Sequence, residues 1–247
     1  MVRGIYSAAS GMLAQQMRLD AVANNIANVN TNGFRREITA VSSFDKALDT
    51  AMSTDSDGVW SAPNMPNPFV LSPYAASDAT VGPIIHTGNP TDLALHGQSF
   101  FTVRTGNGVA YTRNGSFSLD TNGRLVTADG NPVLGEHGEI VIDNPKWQVT
   151  TNGTVVVNGN SVDKLQLADI PNLSAATRIG NNLWSTANAV PANNVMVEQG
   201  CVEGSNVNAV SEMVELINTS RQFEANQRCL QLTDTTLDRA VNDIGRV

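Results

Sequence analysis

The N-terminal stretch of the chain carries a long helical repeat, which limits the available folds more than any other feature of the sequence. Residues 4–29 read GIYSAASGMLAQQMRLDAVANNIANV. Alternating steps of three and four, the a/d spacing of a helix-helix seam, connect Ile5, Ala8, Met12, Gln15, Leu19, Val22, Ile26 and Val29. The stripe requires a partner, because a lone amphipathic helix is only marginally stable in water.

A comparable pattern lies near the other end of the chain. Every seventh residue is apolar there, giving Leu216, Phe223, Leu230, Leu237 and Ile244. The adjoining seam position is apolar at Met213 and Val241 and polar at Ser220, Gln227 and Asp234. The two helical ends are therefore predicted to pair with each other or with neighbouring copies. The alternative is that both are ordinary core helices of one compact domain.

The charges of the two ends favour pairing between them. Up to Arg36 the first segment carries a net charge of +3, from Arg3, Arg18, Arg35 and Arg36 against Asp20. From Cys201 onward the chain carries a net charge of −3, from Glu203, Glu212, Glu215, Glu224, Asp234, Asp238 and Asp243 against Arg221, Arg228, Arg239 and Arg246. Opposite charges attract, so the ends are better partners for each other than for themselves.

Composition excludes several classes of partner. The 247 residues carry a net charge of −8, which argues against binding to a phosphate backbone. No run of about 18 apolar residues predicts a membrane span, and the start lacks the apolar region of a cleavable signal peptide. If the protein leaves the cytoplasm, we expect it to keep its N-terminus.

The first helix is predicted to stop near Asn30-Thr31-Asn32-Gly33-Phe34, where Gly33 can adopt the left-handed conformation that ends helices. Residues 35–57 are interpreted as weakly helical or extended. Residues 58–90 are predicted to form an extended connector, because a helix or a central strand does not accommodate Pro63, Pro66, Pro68, Pro73, Pro83 and Pro90.

The middle of the chain is predicted to be all-β. From Asp92 to Ile142, short alternating segments are separated by turn dipeptides, which predicts an antiparallel meander. The dipeptides suited to tight turns with positive φ are Asn114-Gly115, Asn122-Gly123, Asn152-Gly153 and Asn158-Gly159. A second long helix is expected after an N-cap at Ser205 or Asn208, closed by Gly245.

These segments predict an α+β fold in which both chain ends build one helical, coiled-coil-like domain. Residues 1–32 and 205–247 form this discontinuous terminal domain, residues 33–90 the extended connector, and residues 91–204 the central antiparallel β domain. The helical ends are expected to converge beside the β domain.

No catalytic, cofactor or metal site is predicted. The glycine-rich pieces are turns, the carboxylates are dispersed, and no serine lies in a nucleophile motif. Cys201 and Cys229 are interpreted as free or buried thiols, since their spacing suggests neither a disulfide framework nor a metal site. His86, His96 and His137 are scattered, so histidine ligation of a metal is not expected.

Three stretches resemble the flagellar rod and hook protein family. The N-terminal MVRGIYSAASGMLAQQMRLDAVANNIANVNTNGFRRE is similar to the family's N-terminal signature, and ANNIANVNTNGF, residues 23–34, is close to its short hallmark. DLALHGQSFFTVRTGNGVAYTRNGSFSLDTNGRLVTADGNPVLG resembles the central β module. QGCVEGSNVNAVSEMVELINTSRQFEANQRCLQLTDTTLDRAV resembles the C-terminal helix. Together they cover about half of the chain, in the family's order.

The resemblance implies a structural, non-enzymatic subunit of the flagellar basal-body rod. Such a subunit is exported unfolded by the flagellar type III apparatus, without a cleaved signal peptide. It then joins copies of itself and other rod proteins in a helical shaft that crosses the periplasm inside surrounding rings. The short β body favours a rod protein over a hook protein, and the chain length favours the proximal rod. The alternatives are a hook-type axial protein and a secreted β-rich enzyme acting on peptidoglycan.

The residues expected to bind partners lie on the two helical seams and in the hallmark. They are Ile5, Met12, Leu19, Asn24, Asn25, Ile26, Asn28, Met213, Leu216, Phe223, Leu230 and Leu237. The asparagines admit two interpretations. Either the helix frays into a turn there, because asparagine competes for backbone hydrogen bonds, or the resemblance implies amides that bond across subunits in a crowded shaft.

Overall fold

The computed structural model describes residues 2–41, 73–144, 146–180, 182–192 and 195–244. Within them, helix α1 spans Val2–Ala27 and helix α2 spans Ala209–Ile244. The strands between them are β1 Glu37–Val41, β2 Pro73–Ser77, β3 Ile84–His86, β4 Leu93–Leu95, β5 Phe100–Thr105, β6 Gly108–Thr112, β7 Phe117–Leu119, β8 Leu125–Thr127, β9 Trp147–Val149, β10 Thr154–Val157, β11 Asn160–Lys164, β12 Leu167–Asp169, β13 Thr177–Gly180, β14 Leu183–Ser185, β15 Val190–Pro191, β16 Val197–Gln199 and β17 Cys201–Glu203. The predicted α+β class is confirmed.

The ends of the helices follow the sequence signals. Helix α1 stops at Ala27, two residues before the predicted end, and the chain turns through Gly33, whose φ of +67° is the expected left-handed conformation. Helix α2 begins directly after Asn208, one of the two predicted N-cap positions. The predicted closing residue, Gly245, lies outside the described residues.

The strands pair in the antiparallel sense, both between neighbours and across the chain. Hairpins join β5 to β6, β7 to β8, and β9 through β10 to β11. Other pairings connect distant segments: β4 with β16, β3 with β17, and β6 with β14. The largest sheet has the order β13-β14-β6-β5-β12-β15. The predicted meander therefore describes the local hairpins only, since the larger sheet depends on pairings between distant strands.

The turn predictions are confirmed at three of the four dipeptides, since Gly123, Gly153 and Gly159 have φ of +74°, +80° and +83°. Asn158 and Gly159 both have positive φ and close the β10–β11 hairpin, in which Val157 faces Asn160. Asn114-Gly115 was expected to do the same, and this prediction is wrong because Gly115 does not have a positive φ. The glycine is required by close packing instead, since a Cβ there would lie 1.6 Å from the carbonyl oxygen of Leu93.

The β strands enclose one main hydrophobic core. The rings of Phe101 and Phe117 meet edge to face, with centroids 5.0 Å apart. Around them lie fully buried aliphatic side chains from most of the hairpins, among them Leu93, Leu95, Val103, Leu125, Val133, Ile140 and Val155. Burial of each such side chain is worth about 1.5–3 kcal/mol, which makes this core the main source of stability in the middle of the chain.

The chain divides into two compact units. The helical unit contains Met1–Ile26, Glu37–Ala76 and Ala209–Val247, and the β unit contains Ala27–Arg36 and Ser77–Asn208. Residues 27–32, assigned from sequence to the terminal domain, and residues 77–90, assigned to the connector, thus group with the β unit. In the described part of the connector, β2 and β3 are regular strands.

Candidate assembly surface

In the helical unit, α1 and α2 lie against each other in antiparallel orientation. Three contacts, spaced seven residues apart on α1, show the orientation: the nearer a residue lies to the start of α1, the further along α2 is its partner. They are the hydrogen bond from Asn25 to Glu212 (3.2 Å), the ion pair of Arg18 with Glu215, and the approach of Asn226 Nδ2 to within 3.7 Å of a Cβ placed on Gly11. The two ends of the chain therefore pair with each other within a single subunit.

Small residues form the tightest part of this helix pair. On α1 the most deeply buried apolar side chains are Ala14, Ala21 and Val22, and on α2 Thr219 is almost fully buried. Larger side chains predicted for the seam lie at its margins: Met12, Leu19, Ile26, Leu216, Phe223 and Leu230 are half-buried, and Met213 is exposed. The side chains of Ile5 and Leu237 lie outside the described residues. The buried line thus includes Val22 of the predicted apolar stripe and adds Ala14 and Ala21 beside it, because small side chains let two helices approach closely.

Asn25 uses its amide to hold three parts of the helical unit together. Its Nδ2 donates to the carbonyl oxygen of Glu37 (2.9 Å) and to the carboxylate of Glu212, and its Oδ1 accepts from the N–H of Glu37 (2.8 Å). The amide thereby imitates a strand partner for the start of β1. Bonding across subunits is not needed to explain this buried asparagine, since both its nitrogen and its oxygen are engaged within one chain.

An apolar stripe remains exposed on the first turns of α2. Val210, Met213, Val214 and Ile217 follow the i, i+3, i+4, i+7 pattern of one helix face, and they are 70%, 49%, 52% and 49% exposed. Helix α1 exposes a smaller pair, Leu13 and Met17. Surface leucines occur singly on most proteins, but a continuous stripe on one helix face marks an interaction site.

The β unit contains a buried ionic cluster formed by Arg35, Arg113 and Glu203. The carboxylate of Glu203 accepts from Nη1 of Arg35 (2.9 Å) and from Nε of Arg113 (2.6 Å), and all three side chains are almost inaccessible to solvent. Glu203 also accepts from the N–H of Gly82 (2.9 Å). The two arginines approach from segments far apart in the sequence, so the cluster fixes the tertiary structure of this region.

Burial lowers the pKa of both arginines from the ordinary value, and the charge of Glu203 opposes that shift. Guanidinium groups stay charged in proteins, so the cluster carries two positive charges on one carboxylate. Arg113 disperses its charge over backbone carbonyls as well, donating to Leu95 (3.1 Å), Gly97 (2.8 Å) and Ser99. These hydrogen bonds offset part of the free-energy cost of removing the charge from water.

The second half of the hallmark is attached to the β unit by further contacts. The guanidinium of Arg178 lies between the rings of Phe34 and Trp184, 4.7 Å and 4.8 Å from their centroids, and donates to the carbonyl oxygen of Arg35 (2.6 Å). Asn182 donates to the carbonyl of Asn32, and the N–H of Gly33 donates to the carbonyl of Glu203. Residues 32–35 are therefore bound to the β13–β14 hairpin and to the end of β17.

No sequence pattern predicted this cluster. Arg35 and Glu203 contributed to the net charges of the two ends, and Arg113 lay in the stretch that resembles the family's central β module. One usable signal was present, because charged residues make up only 15% of the chain and Glu203 follows two apolar residues directly. A charge placed in such surroundings is expected to have a buried partner.

Other candidate sites are limited in the described part of the chain. The predicted free thiols are confirmed: Cys201 is buried in the β unit and Cys229 is exposed on α2. Among the described residues, no group of three or more His, Cys, Asp or Glu side chains is arranged to hold a metal ion. None of the described helices is long and apolar enough to cross a membrane.

Comparison with known proteins connects these features to a family. Residues 5–35 match the family model described as flagella basal body rod protein, residues 94–158 the flagellar hook protein FlgE/F/G D1 domain, and residues 198–243 the flagellar basal body rod FlgEFG protein C-terminal domain. The chain is 32% identical to the flagellar hook-basal body complex protein FlhO of Bacillus subtilis and 33% identical to the flagellar basal-body rod protein FlgF of Caulobacter vibrioides. In both cases the full length of each chain is covered.

The chain belongs to the flagellar rod and hook protein family. It is also 31% identical to the flagellar basal-body rod protein FlgG of Bacillus subtilis, over 98% of this chain and 99% of the relative. The resemblance drawn from the three sequence stretches is confirmed. Membership of this family makes the chain a structural protein of the flagellar basal-body rod.

The family segments meet in the buried ionic cluster. Arg35 lies in the N-terminal match, Arg113 in the D1 match and Glu203 in the C-terminal match. Each of the three segments that define this rod and hook protein therefore contributes one charged side chain to the same buried contact.

Proposed function

We propose that the chain polymerises through its terminal helices into the axial shaft of the rod, which crosses the periplasm. The observation that carries the proposal is the exposed stripe formed by Val210, Met213, Val214 and Ile217 on α2. Full burial of such a side chain from water is worth about 1.5–3 kcal/mol, and about half or more of that remains to be gained at each of these partly exposed residues, so contact with a neighbouring subunit is favourable.

The position of a second exposed pair favours open-ended assembly. Leu13 and Met17 lie on α1 and the stripe lies on α2, so one subunit presents two different apolar surfaces. Contacts between unlike surfaces are heterologous, and they produce helical filaments when the rotation does not close into a ring. The proposed interface also includes two hallmark residues, Asn24 and Asn28, and two residues of the α1 seam, Met12 and Leu19.

The partners of this subunit are then copies of itself and other rod proteins, with ring proteins around the shaft. Relatives are named for both FlgF and FlgG, at nearly equal identity. We place the chain in the proximal rod because of its compact length. Export proceeds through the flagellar export apparatus without cleavage of a signal peptide, and the subunit has no enzymatic role.

The decisive experiment adds one charge to the exposed stripe. Ile217→Asp should prevent rod formation and motility, because a carboxylate buried without a partner is costly at every subunit contact. The monomer should stay folded, since Ile217 is 49% exposed there. Asn218→Asp adds the same charge at the next, exposed position and should assemble normally.

Electron microscopy of basal bodies measures rod formation. Circular dichroism of the purified subunits measures whether the monomers are folded. Normal rods with Ile217→Asp would remove the stripe from the interface and with it the proposed mode of polymerisation. Loss of rods with both variants would show that any added charge on this part of α2 disrupts assembly, which would also overturn the assignment of this face.

A further inference from the structure

The chain passes between the helical unit and the β unit at four places, and residues next to these places are bonded to one another inside the β unit. The passages fall after Ile26, Arg36, Ala76 and Asn208. Close to them, the N–H of Arg36 donates to Oδ1 of Asn206 (2.7 Å), and the N–H of Asp78 donates to the carbonyl of Arg36 (2.8 Å). Asn206 Nδ2 also donates to the carbonyl of Thr80 (3.0 Å). These bonds join three segments of the β unit: the first ends at Arg36, the second begins after Ala76, and the third ends at Asn208.

The buried ionic cluster connects the same three segments inside the β unit. Arg35 precedes Arg36 in the first segment, and its guanidinium also donates to the carbonyl of Thr80 in the second. Glu203 begins the third segment, and its carboxylate accepts from Gly82 at the end of the second. Removal of the contact between Arg35 and Glu203 would therefore loosen all three segments, while the pair of Glu203 with Arg113 would persist.

We propose that Arg35 and Glu203 form a lock that makes pairing of α1 with α2 depend on folding of the β unit. The two helices are separated along the chain by the whole β unit, so their encounter carries a large loop-closure entropy when that unit is unfolded. Once Glu203 has bound Arg35, the end of α1 and the start of α2 leave from segments held within hydrogen-bonding distance. The helix pair then forms at little further entropic cost.

The inference rests on the proposed function for its consequence. The apolar stripe on α2 belongs to the same helix that α1 covers, so an assembly surface of defined shape exists only when the two helices are paired. The lock would then keep a subunit with an unfolded β unit from joining the shaft. Arg35 and Glu203 act in this account as positioning residues, since neither belongs to the stripe itself.

The test separates the stability of the two units in the purified monomer. In Arg35→Met, Arg113 and Glu203 still neutralise each other, so the melting midpoint of the β unit should stay within about 3 °C of the wild type. Hydrogen exchange of the buried amides in α1 and α2 should become at least about tenfold faster, because the helix pair opens more often. Arg35→Lys keeps the charge and should show an intermediate acceleration.

Two further arginines are the controls. Arg113→Met removes the donors to Leu95, Gly97 and Ser99, so it should lower the melting midpoint of the β unit directly. Arg104 pairs with Glu139 at an exposed site in the same unit, and Arg104→Met should change neither measurement.

Unchanged exchange in α1 and α2 of Arg35→Met would overturn the lock. A fall in β-unit stability as large as the change in the helices would also overturn it, because the cluster would then only support the β unit. Both measurements use monomers, so they are independent of polymerisation. Failure of the Ile217→Asp experiment would instead contradict the proposed function and leave the lock intact.

Discussion

Gly33 passes so close to the main chain of Arg113 that no side chain fits between them. With Gly33 at a φ of +67°, a Cβ would lie 2.4 Å from the carbonyl carbon of Arg113 and 2.5 Å from the nitrogen of Asn114. The neighbouring atoms belong to the backbone, so they cannot move aside by rotation about a side-chain bond. This contact seats the hallmark against the segment that directly follows β6 and contains Arg113.

We therefore expect Gly33→Ala to destabilise the β unit more than a comparable change elsewhere. Gly88 is the matched control, because its φ is +76° and nothing lies within 4 Å of its Cβ position. Gly88→Ala should cost about 1–2 kcal/mol for the left-handed conformation alone. Gly33→Ala should lower the free energy of unfolding by clearly more, since the backbone at Arg113 and Asn114 must also shift. Urea unfolding of both variants measures the difference, and equal costs would mean that the hallmark can move away without penalty.

Asn25→Ala should weaken the helical unit, because it removes all three hydrogen bonds to Glu37 and Glu212. Each bond contributes roughly 0.5–1.5 kcal/mol, so the free energy of unfolding of the helical unit is expected to fall by about 2–4 kcal/mol. Asn24→Ala removes one exposed bond to the Glu37 carboxylate and should cost less than about 0.5 kcal/mol. Hydrogen exchange in α1 compares the two variants, and a larger effect from Asn24 would contradict the central role given to Asn25.

His137 should give the β unit a weak dependence on pH. Its hydrogen bond to Asp163 (2.9 Å) and the charge of that carboxylate raise the pKa of His137 above its ordinary value of 6.5. A raised pKa means that the charged histidine stabilises the folded state below about pH 6.5, and that this contribution is lost as the pH rises through the folded pKa. NMR titration of His137 measures the shift. Asp163→Asn should return the pKa towards 6.5, and no change would exclude Asp163 as its cause.

The N-terminal helix should be present in the assembled protein. Helix α1 supplies one half of the helix pair, including Asn25 and Arg18, so removal of its residues would leave α2 without its partner. Mass spectrometry of basal bodies should recover peptides that begin at or next to Met1. Chains uniformly missing about the first 20 residues, as after cleavage of a signal peptide, would refute the proposed export route.

Features encoded by short stretches were predictable from the sequence. Both helices could be located from their repeats, and Asn158-Gly159 closes a hairpin because both residues readily adopt positive φ. Asn114-Gly115 has the same composition but does not close a hairpin, because the packing of Gly115 against Leu93 decides its conformation. A dipeptide reports local preference only, and a buried neighbour from another strand overrides it.

The buried ionic cluster shows what the sequence could not provide. Arg113 and Glu203 are 90 residues apart, and neither stands in a repeat or a motif. Pairing of single residues over that distance depends on the whole sheet topology, including β3 with β17. The helix pair buries Ala14 and Ala21 beside the predicted stripe for a related reason: both residues are only weakly apolar, yet their small size lets the two helices approach closely.

The pairing of β1 with β2 has a practical consequence for engineering this rod subunit. Strand β1 ends at Val41 and β2 begins at Pro73, and just beyond the paired strands the N–H of Asp78 donates to the carbonyl of Arg36. Both ends of the segment between these strands are thus anchored side by side, whatever its length. In general, each doubling of the length of chain between two joined points adds only about 0.6 kcal/mol to the free energy of closing it. We therefore expect a fluorescent or affinity tag inserted between Val41 and Pro73 to leave the pairing of β1 with β2 intact.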